Sequence, residues 1–166
     1  MKRILLFTIL CASFLTLEAQ TITWTGAGDC TNWSDFNNWD LSCLPTESHD
    51  VIIPDGSNVT INNPVQTKSI SVRGNTVLTI NESMVFHEPS LIEENVEVNW
   101  RFGSLGTPLI SSLEAGIITN FGTININVID DLEPSFSPPI ILIHAILNNE
   151  GEINFINGYL GMNGSA

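Results

Sequence analysis

Basic residues are nearly missing from this chain: 5 Lys and Arg stand against 18 Asp and Glu, a formal charge of −13. Such a surface repels phosphate backbones and anionic membrane faces, which argues against nucleic acid as a partner and for cations or neutral and basic surfaces. The same low basic content, with much Asn, Ser and Thr, is also what a soluble secreted protein carries. Helical periodicity is missing beyond the first fifteen or so residues by the 3.6-residue criterion. No later apolar run is long enough for a membrane span. Gly-x-Ser-x-Gly, phosphate-loop and His-Glu-x-x-His signatures are also missing, which excludes the commonest hydrolase, nucleotide and zinc-protease chemistries.

What is present begins with an address. Lys2-Arg3 precede an apolar stretch from Ile4 to Leu15, and Leu17-Glu18-Ala19 precedes Gln20, so residues 1–19 read as a signal peptide cut after Ala19. Cys11 lies inside the apolar stretch without small residues before it, which argues against a lipid anchor. Removing residues 1–19 takes away Lys2, Arg3 and Glu18, leaving 17 acids and 3 bases. The expected location is therefore secreted or on the outer cell surface.

Cys30 and Cys43 then remain. An even pair in an exported chain favours a disulfide, closing a loop of about a dozen residues for about 3 kcal/mol if unstrained. Two cysteines without partner cysteines do not make the usual zinc set. Trp33 and Trp39 lie between them, so the bridge is expected to staple an N-terminal cap at residues 20–56.

From residue 57 to 166 the chain repeats one pattern: a short alternating apolar run closed by Gly, Asn or Pro. After a first run at the end of the cap, Val51-Ile-Ile, the runs are Val59-Thr-Ile, Ile70-Ser-Val, Val77-Leu-Thr-Ile, Asn95-Val-Glu-Val-Asn-Trp, Gly116-Ile-Ile-Thr, Thr123-Ile-Asn-Ile-Asn-Val-Ile, Ile140 to Leu147 and Glu152-Ile-Asn-Phe-Ile. Asn120-Phe-Gly-Thr-Ile-Asn-Ile-Asn is echoed by Asn149-Glu-Gly-Glu-Ile-Asn-Phe-Ile-Asn and, more distantly, by Arg73-Gly-Asn-Thr-Val-Leu-Thr-Ile-Asn. Gly and Asn at corners, with aliphatics stacked inside, are the pattern of a right-handed parallel β-helix, an all-β solenoid. An antiparallel β-sandwich is the alternative, but regular two-residue hairpin turns are not evident. Pro134, Pro138 and Pro139 are expected in an outward loop. The Gly-rich end, Gly158 to Ala166, lacks a polar cap, so further coils are expected beyond it.

Trp24-Thr-Gly, Asn32-Trp33, Asn38-Trp39, Pro45 and Asp50-Val-Ile-Ile-Pro-Asp-Gly56 together resemble the opening of secreted Bacteroidota surface proteins, in which such a cap starts a parallel β-helix. The segment is also similar to the eight-glycine extracellular domain. The resemblance covers about a third of the chain after residue 19 and implies a structural or adhesive, adhesin-like role, with no catalytic residues. Ser42-Cys43 stands where that family usually has a Gly, and no C-terminal sorting domain of its kind is present.

Several residue sets could carry chemistry. Trp24, Trp33 and Trp39 could stack on sugars, giving a carbohydrate-binding module, or could plug the open end of the solenoid. Asp29, Asp35 and Asp40, with Asp50 and Asp55, could hold calcium, although no Asp-x-Asp-x-Asp-Gly loop occurs and Asp is a common turn residue. His49-Asp50 and His87-Glu88 are sequence neighbours, which a strand sends to opposite faces, and His144 sits in an apolar run. Glu93-Glu94 and Asp130-Asp131 are the acidic pairs a polysaccharide hydrolase would need, and Lys68, Arg73 and Arg101 the bases for a lyase, but neither geometry is met by adjacency. The sequons at Asn32, Asn58, Asn81 and Asn163 are near chance in so Asn-rich a chain. The expected role is a secreted or surface structural and adhesive protein that meets glycans or surface proteins, with no cofactor beyond possible calcium.

Overall fold

The computed structural model describes residues 20–102, 112–128, 140–157 and 159–162. His144, Asp130 and Asp131, Pro134 to Pro139, Asn163 and residues 1–19 fall outside what can be said of structure or side chains there. The described chain is all-β. Its strands are β1 (Gln20–Thr23), β2 (His49–Ile53), β3 (Asn58–Ile61), β4 (Val65–Thr67), β5 (Ser69–Val72), β6 (Val77–Ile80) and β7 (Met84–Phe86). They continue as β8 (Ser90–Ile92), β9 (Glu97–Phe102), β10 (Ser112–Asn120), β11 (Thr123–Val128), β12 (Ile140–Asn149), β13 (Glu152–Asn157) and β14 (Tyr159–Met162). One 3-10 turn, Phe36–Asn38, interrupts them.

Two parallel sheets result. The first runs β1-β2-β5-β8-β10-β12-β14, with β4 and β7 joining it through β10, and the second runs β13-β11-β9-β6-β3. Every pairing between these strands is parallel, which an antiparallel sandwich does not give. The chain visits the two sheets in turn, so each strand pairs with one from the next repeat. Asp50 pairs with Ser69, 19 residues on, and Ser71 with Leu91, 20 on. Thr119 lies 28 residues beyond Leu91 and Asn148 a further 29. The longer steps contain residues 103–111 and 129–139, both placed between a strand of the second sheet and the next strand of the first. This uneven step is why the internal repeat looks irregular as sequence.

The strand alternation sends one residue in two to the core. Val59, Leu78, Val98, Ile124 and Ile153 form one inner row of the second sheet, and Ile61, Ile80, Trp100 and Ile126 the next, which Phe155 continues at the half-exposed end. Ile53, Val72 and Ile92 form the facing row of the first sheet. Fully burying each such aliphatic is worth about 1.5–3 kcal/mol, which makes the rows the main source of cohesion. A cavity of 30 Å³ among Ile70, Leu78, Phe86, Trp100 and Ile118 is little more than one water's space and carries no convergent polar set.

The corner after the first sheet changes partway along. Residues 54–57, 73–76 and 93–96 make four-residue corners, whereas 121–122 and 150–151 make two-residue ones. At the short corners the inner row switches from aliphatic to Asn120 and Asn149. Asn120 is fully buried: its Oδ1 accepts from the Gly122 N–H at 3.1 Å, and its Nδ2 donates to Asn149 Oδ1 at 2.7 Å. The side chain thus satisfies the backbone groups that a tighter turn leaves unpaired. Asn120 and Asn149, and the residues after them, pair in register from Thr123–Glu152 to Ile126–Phe155, so the echoed sequences are neighbours in space.

Candidate functional site

Three places could carry function: the cap, the outer face of the second sheet, and the groove where cap and first repeat meet.

The cap is built around three indoles. Trp24 and Trp39 meet edge to face at 5.1 Å between ring centroids, and Trp33 and Trp39 at 4.7 Å. Trp39 Nε1 donates to the Trp33 carbonyl at 2.9 Å. The rings are 3 %, 2 % and 2 % exposed for Trp24, Trp33 and Trp39, so no indole face is offered to a sugar ring. They close the N-terminal end of the core, and the Asn32–Thr60 bridge ties the cap to the first strand of the second sheet.

Asn38 organises the surrounding loop. It is fully buried, and its Oδ1 accepts from the N–H groups of Gly28 at 2.8 Å and Cys30 at 3.2 Å. Its Nδ2 donates to Asp29 Oδ1 at 2.8 Å and to the Asn32 carbonyl at 3.0 Å. Asp29 Oδ1 also accepts from the Thr31 and Asn32 N–H groups. Asp35 Oδ2 accepts from the Asp29 N–H, and its Oδ1 from the Asn37 N–H and Nδ2. Asp40 Oδ1 accepts from the Thr23 N–H at 2.9 Å. All three carboxylates named as a cation set therefore act as acceptors for loop amides. Among the described residues, no three His, Cys, Asp or Glu side chains converge to hold a metal.

The expected disulfide is corrected by the structure. Cys30 and Cys43 are both free and exposed. Cys30 has a left-handed backbone, φ 69°, and its Sγ lies 3.7 Å from the Gly28 carbonyl, within its own turn. The loop is closed by Asn38 and the carboxylates, so no staple is needed. Cys30→Gly fits the left-handed backbone better, and the expected change in unfolding free energy is under about 1 kcal/mol, with or without reductant. A chemical-denaturation series under both conditions checks this; a reductant-dependent loss of about 3 kcal/mol in the wild type would restore the bridge.

Two aspartates are held below the ordinary Asp value of 3.8. For Asp29 the main cause is the Asn32 N–H, followed by the Thr31 N–H and the Asn38 amide. For Asp55 it is the Asn75 N–H, then the Asn75 side-chain amide. A depressed carboxyl contributes stability that is complete above its unfolded value and lost as pH falls through the folded one. Unfolding midpoints should therefore hold steady above about pH 5 and decline below about pH 4. In Asp29→Asn the decline should be shallower, read by tryptophan fluorescence.

The other sequence candidates stay apart. His49 is buried and faces Thr46, with Nδ1 2.8 Å from Thr46 Oγ1, while Asp50 points outward to Ser69 Oγ at 2.6 Å and Lys68 at 3.5 Å. His87 and Glu88 are both exposed in a bend. Glu93 pairs with Arg73 at 3.8 Å, and Glu94 projects from the same corner. Asn32, Asn58 and Asn81 are at the surface or partly so.

The outer face of the second sheet carries an ordered polar column. Thr60, Thr79, Asn99, Asn125 and Asn154 follow one another across the five strands. Asn154 Nδ2 donates to Asn125 Oδ1, and Asn125 Nδ2 to Asn99 Oδ1, each at 3.1 Å. Asn81 Nδ2 donates to Asn62 Oδ1 at 2.7 Å beside it. Along the cap, Trp33, Ser34 and Leu44 to Glu47 face Asn63 to Gln66 across a groove of 590 Å³. Asn38 was marked only as part of the Asn38-Trp39 pair, and this groove by no sequence motif. The only signal was the 19-residue register, which sets Thr46 and Glu47 one repeat before Val65 and Gln66.

Among the described residues no helix is long and apolar enough to cross a membrane. No protein-family profile, no curated protein and no solved structure matches this chain.

Proposed function

We propose that this chain is a secreted or cell-surface protein with a structural and adhesive role, its two sheets closing into a right-handed parallel β-helix. The single observation that carries the reading is the outer Thr and Asn column, Thr60 to Asn154. It repeats hydroxyl and amide donors and acceptors at the strand spacing of about 4.8 Å, and Glu97 Oε1 accepts from both Asn99 and Asn125 beside it. A rigid, regular polar array suits repeated weak contacts with glycans or surface proteins. The basic and apolar start of the chain supports export. Handedness follows from the strong preference of parallel strand–crossover–strand units for the right-handed connection.

Beads bearing the purified protein should adhere to glycan-coated or protein-coated surfaces, with adhesion falling at least tenfold in the Asn99→Lys, Asn125→Lys double variant. Unchanged adhesion in that variant, with folding intact, would remove the column from the mechanism. No adhesion by the wild type on any coating would remove the role. The crystal structure would decide closure and handedness.

A further inference from the structure

The groove between cap and first repeat has no part in the adhesive reading. We propose that it is a peptide-binding groove, in which an extended neutral or basic segment of a partner protein adds as a strand beside β4. Among the described strands, β4 pairs only with β7. The Val65 N–H donates to the Ser83 carbonyl at 3.1 Å, and the His87 N–H to the Thr67 carbonyl at 3.3 Å. In a parallel ladder alternate residues bond to opposite sides. The backbone N–H and C=O of Gln66, between those two, therefore face away from β7 and into the groove.

The register explains why the edge is open. Continuing the Asp50–Ser69 pairing backwards sets Thr46 and Glu47 opposite Val65 and Gln66. Instead the chain turns there: the His49 N–H donates to the Thr46 carbonyl at 2.9 Å, and the Thr46 N–H to His49 Nδ1 at 3.0 Å. That turn holds residues 44–47 off β4 and leaves the 590 Å³ groove between them. Asn63 Nδ2, donating to Ser34 Oγ at 3.2 Å, bridges the cap to the corner beside β4.

The chemistry of the walls selects the occupant. An open N–H and C=O pair asks for a partner with its own backbone amides, as in strand addition, where main-chain bonds supply affinity and side pockets specificity. Leu44, 41 % exposed, with the exposed Pro64, offers apolar contact for alternate side chains. Glu47 is the charged residue of the lining, and no base accompanies it. With a net charge of −13, the protein therefore favours a neutral or basic strand.

The test uses fluorescence anisotropy with a labelled hexapeptide, Lys-Val-Thr-Val-Thr-Lys, and the same peptide N-methylated at alternate residues. Saturable binding is expected for the first peptide, and binding at least tenfold weaker for the methylated one. Gln66→Pro removes the one N–H aimed into the groove while sparing the bonds to β7, a substitution an edge strand tolerates. It should lower affinity at least tenfold with little change in the unfolding midpoint. Glu47→Lys, across the groove and outside the β4–β7 hydrogen bonds, should lower affinity for the cationic peptide by a similar factor and serves if Gln66→Pro does not fold. Equal binding of the two peptides, or none at millimolar concentration, would overturn the proposal. So would displacement of the peptide by a neutral oligosaccharide.

Discussion

Asn38→Asp should unfold the cap. The substitution keeps the shape of the side chain but removes the two donors that serve Asp29 Oδ1 and the Asn32 carbonyl. It also sets a second carboxylate where an amide now lies 2.8 Å from Asp29. The site is fully buried, so the new charge has neither solvent nor a cation. An uncompensated buried charge costs about 3–5 kcal/mol, a large share of a typical domain's stability. Asn38→Ala should cost less, about 2–3 kcal/mol, because it orphans the Gly28 and Cys30 N–H groups without adding repulsion. Denaturant titration followed by near-ultraviolet circular dichroism reads this directly, since Trp24, Trp33 and Trp39 pack around the same loop. If Asn38→Asp were as stable as wild type at pH 7, the amide would not be the organising group. Lowering the pH should partly rescue Asn38→Asp, because protonation restores one donor and removes the repulsion.

The second large effect is expected at the short corners. A Cβ on Gly151 would fall on the Gly122 carbonyl oxygen and within 2.8 Å of Phe121 carbonyl atoms. A Cβ on Gly122 would lie 2.5 Å from the Val96 carbonyl oxygen and 2.8 Å from that of Glu93. These obstacles are backbone, so no rotamer change relieves them and adjacent repeats must separate. Gly151→Ala and Gly122→Ala should each cost about 3 kcal/mol, at the upper end of overpacking penalties. Gly56→Ala is the control: its φ is +76° but nothing lies within 4 Å of the added carbon. It should cost only the left-handed penalty, about 1–2 kcal/mol. Similar losses at Gly56 and Gly151 would mean that close approach does not govern the short corners.

The contrast between these glycines shows where sequence reading stops. Asn120-Phe-Gly and Asn149-Glu-Gly stand out as an echo, and the structure pairs them in register. That the two glycines are there for contact rather than for φ depends on the distance between repeats, which no single segment encodes. The same limit applied to the cysteines. Their number and spacing favoured a bridge, but the left-handed turn at Cys30 and the Asn38 hydrogen bonds close the loop without one. Asn38 itself was visible only as part of a motif, because its four hydrogen bonds reach residues 6 to 10 positions away. For His49 and Asp50, strand alternation alone was enough to separate the two side chains.

Local sequence by itself determined that this is an all-β chain. Short apolar runs closed by Gly, Asn or Pro marked β2, β3, β5, β6 and the strands from β9 to β13, because burial on one face imposes a period of two. The three-residue strands β4, β7 and β8 were not among the runs read from the sequence. Tertiary structure decided what pairs with what: the parallel ladders, their uneven steps, and the Asn and Thr column assembled from five separate strands. It also decided that the tryptophans close the core and that β4 keeps an open edge beside the cap. Periodicity is a property of neighbours along the chain, whereas register, burial and an unpaired edge are properties of neighbours across it.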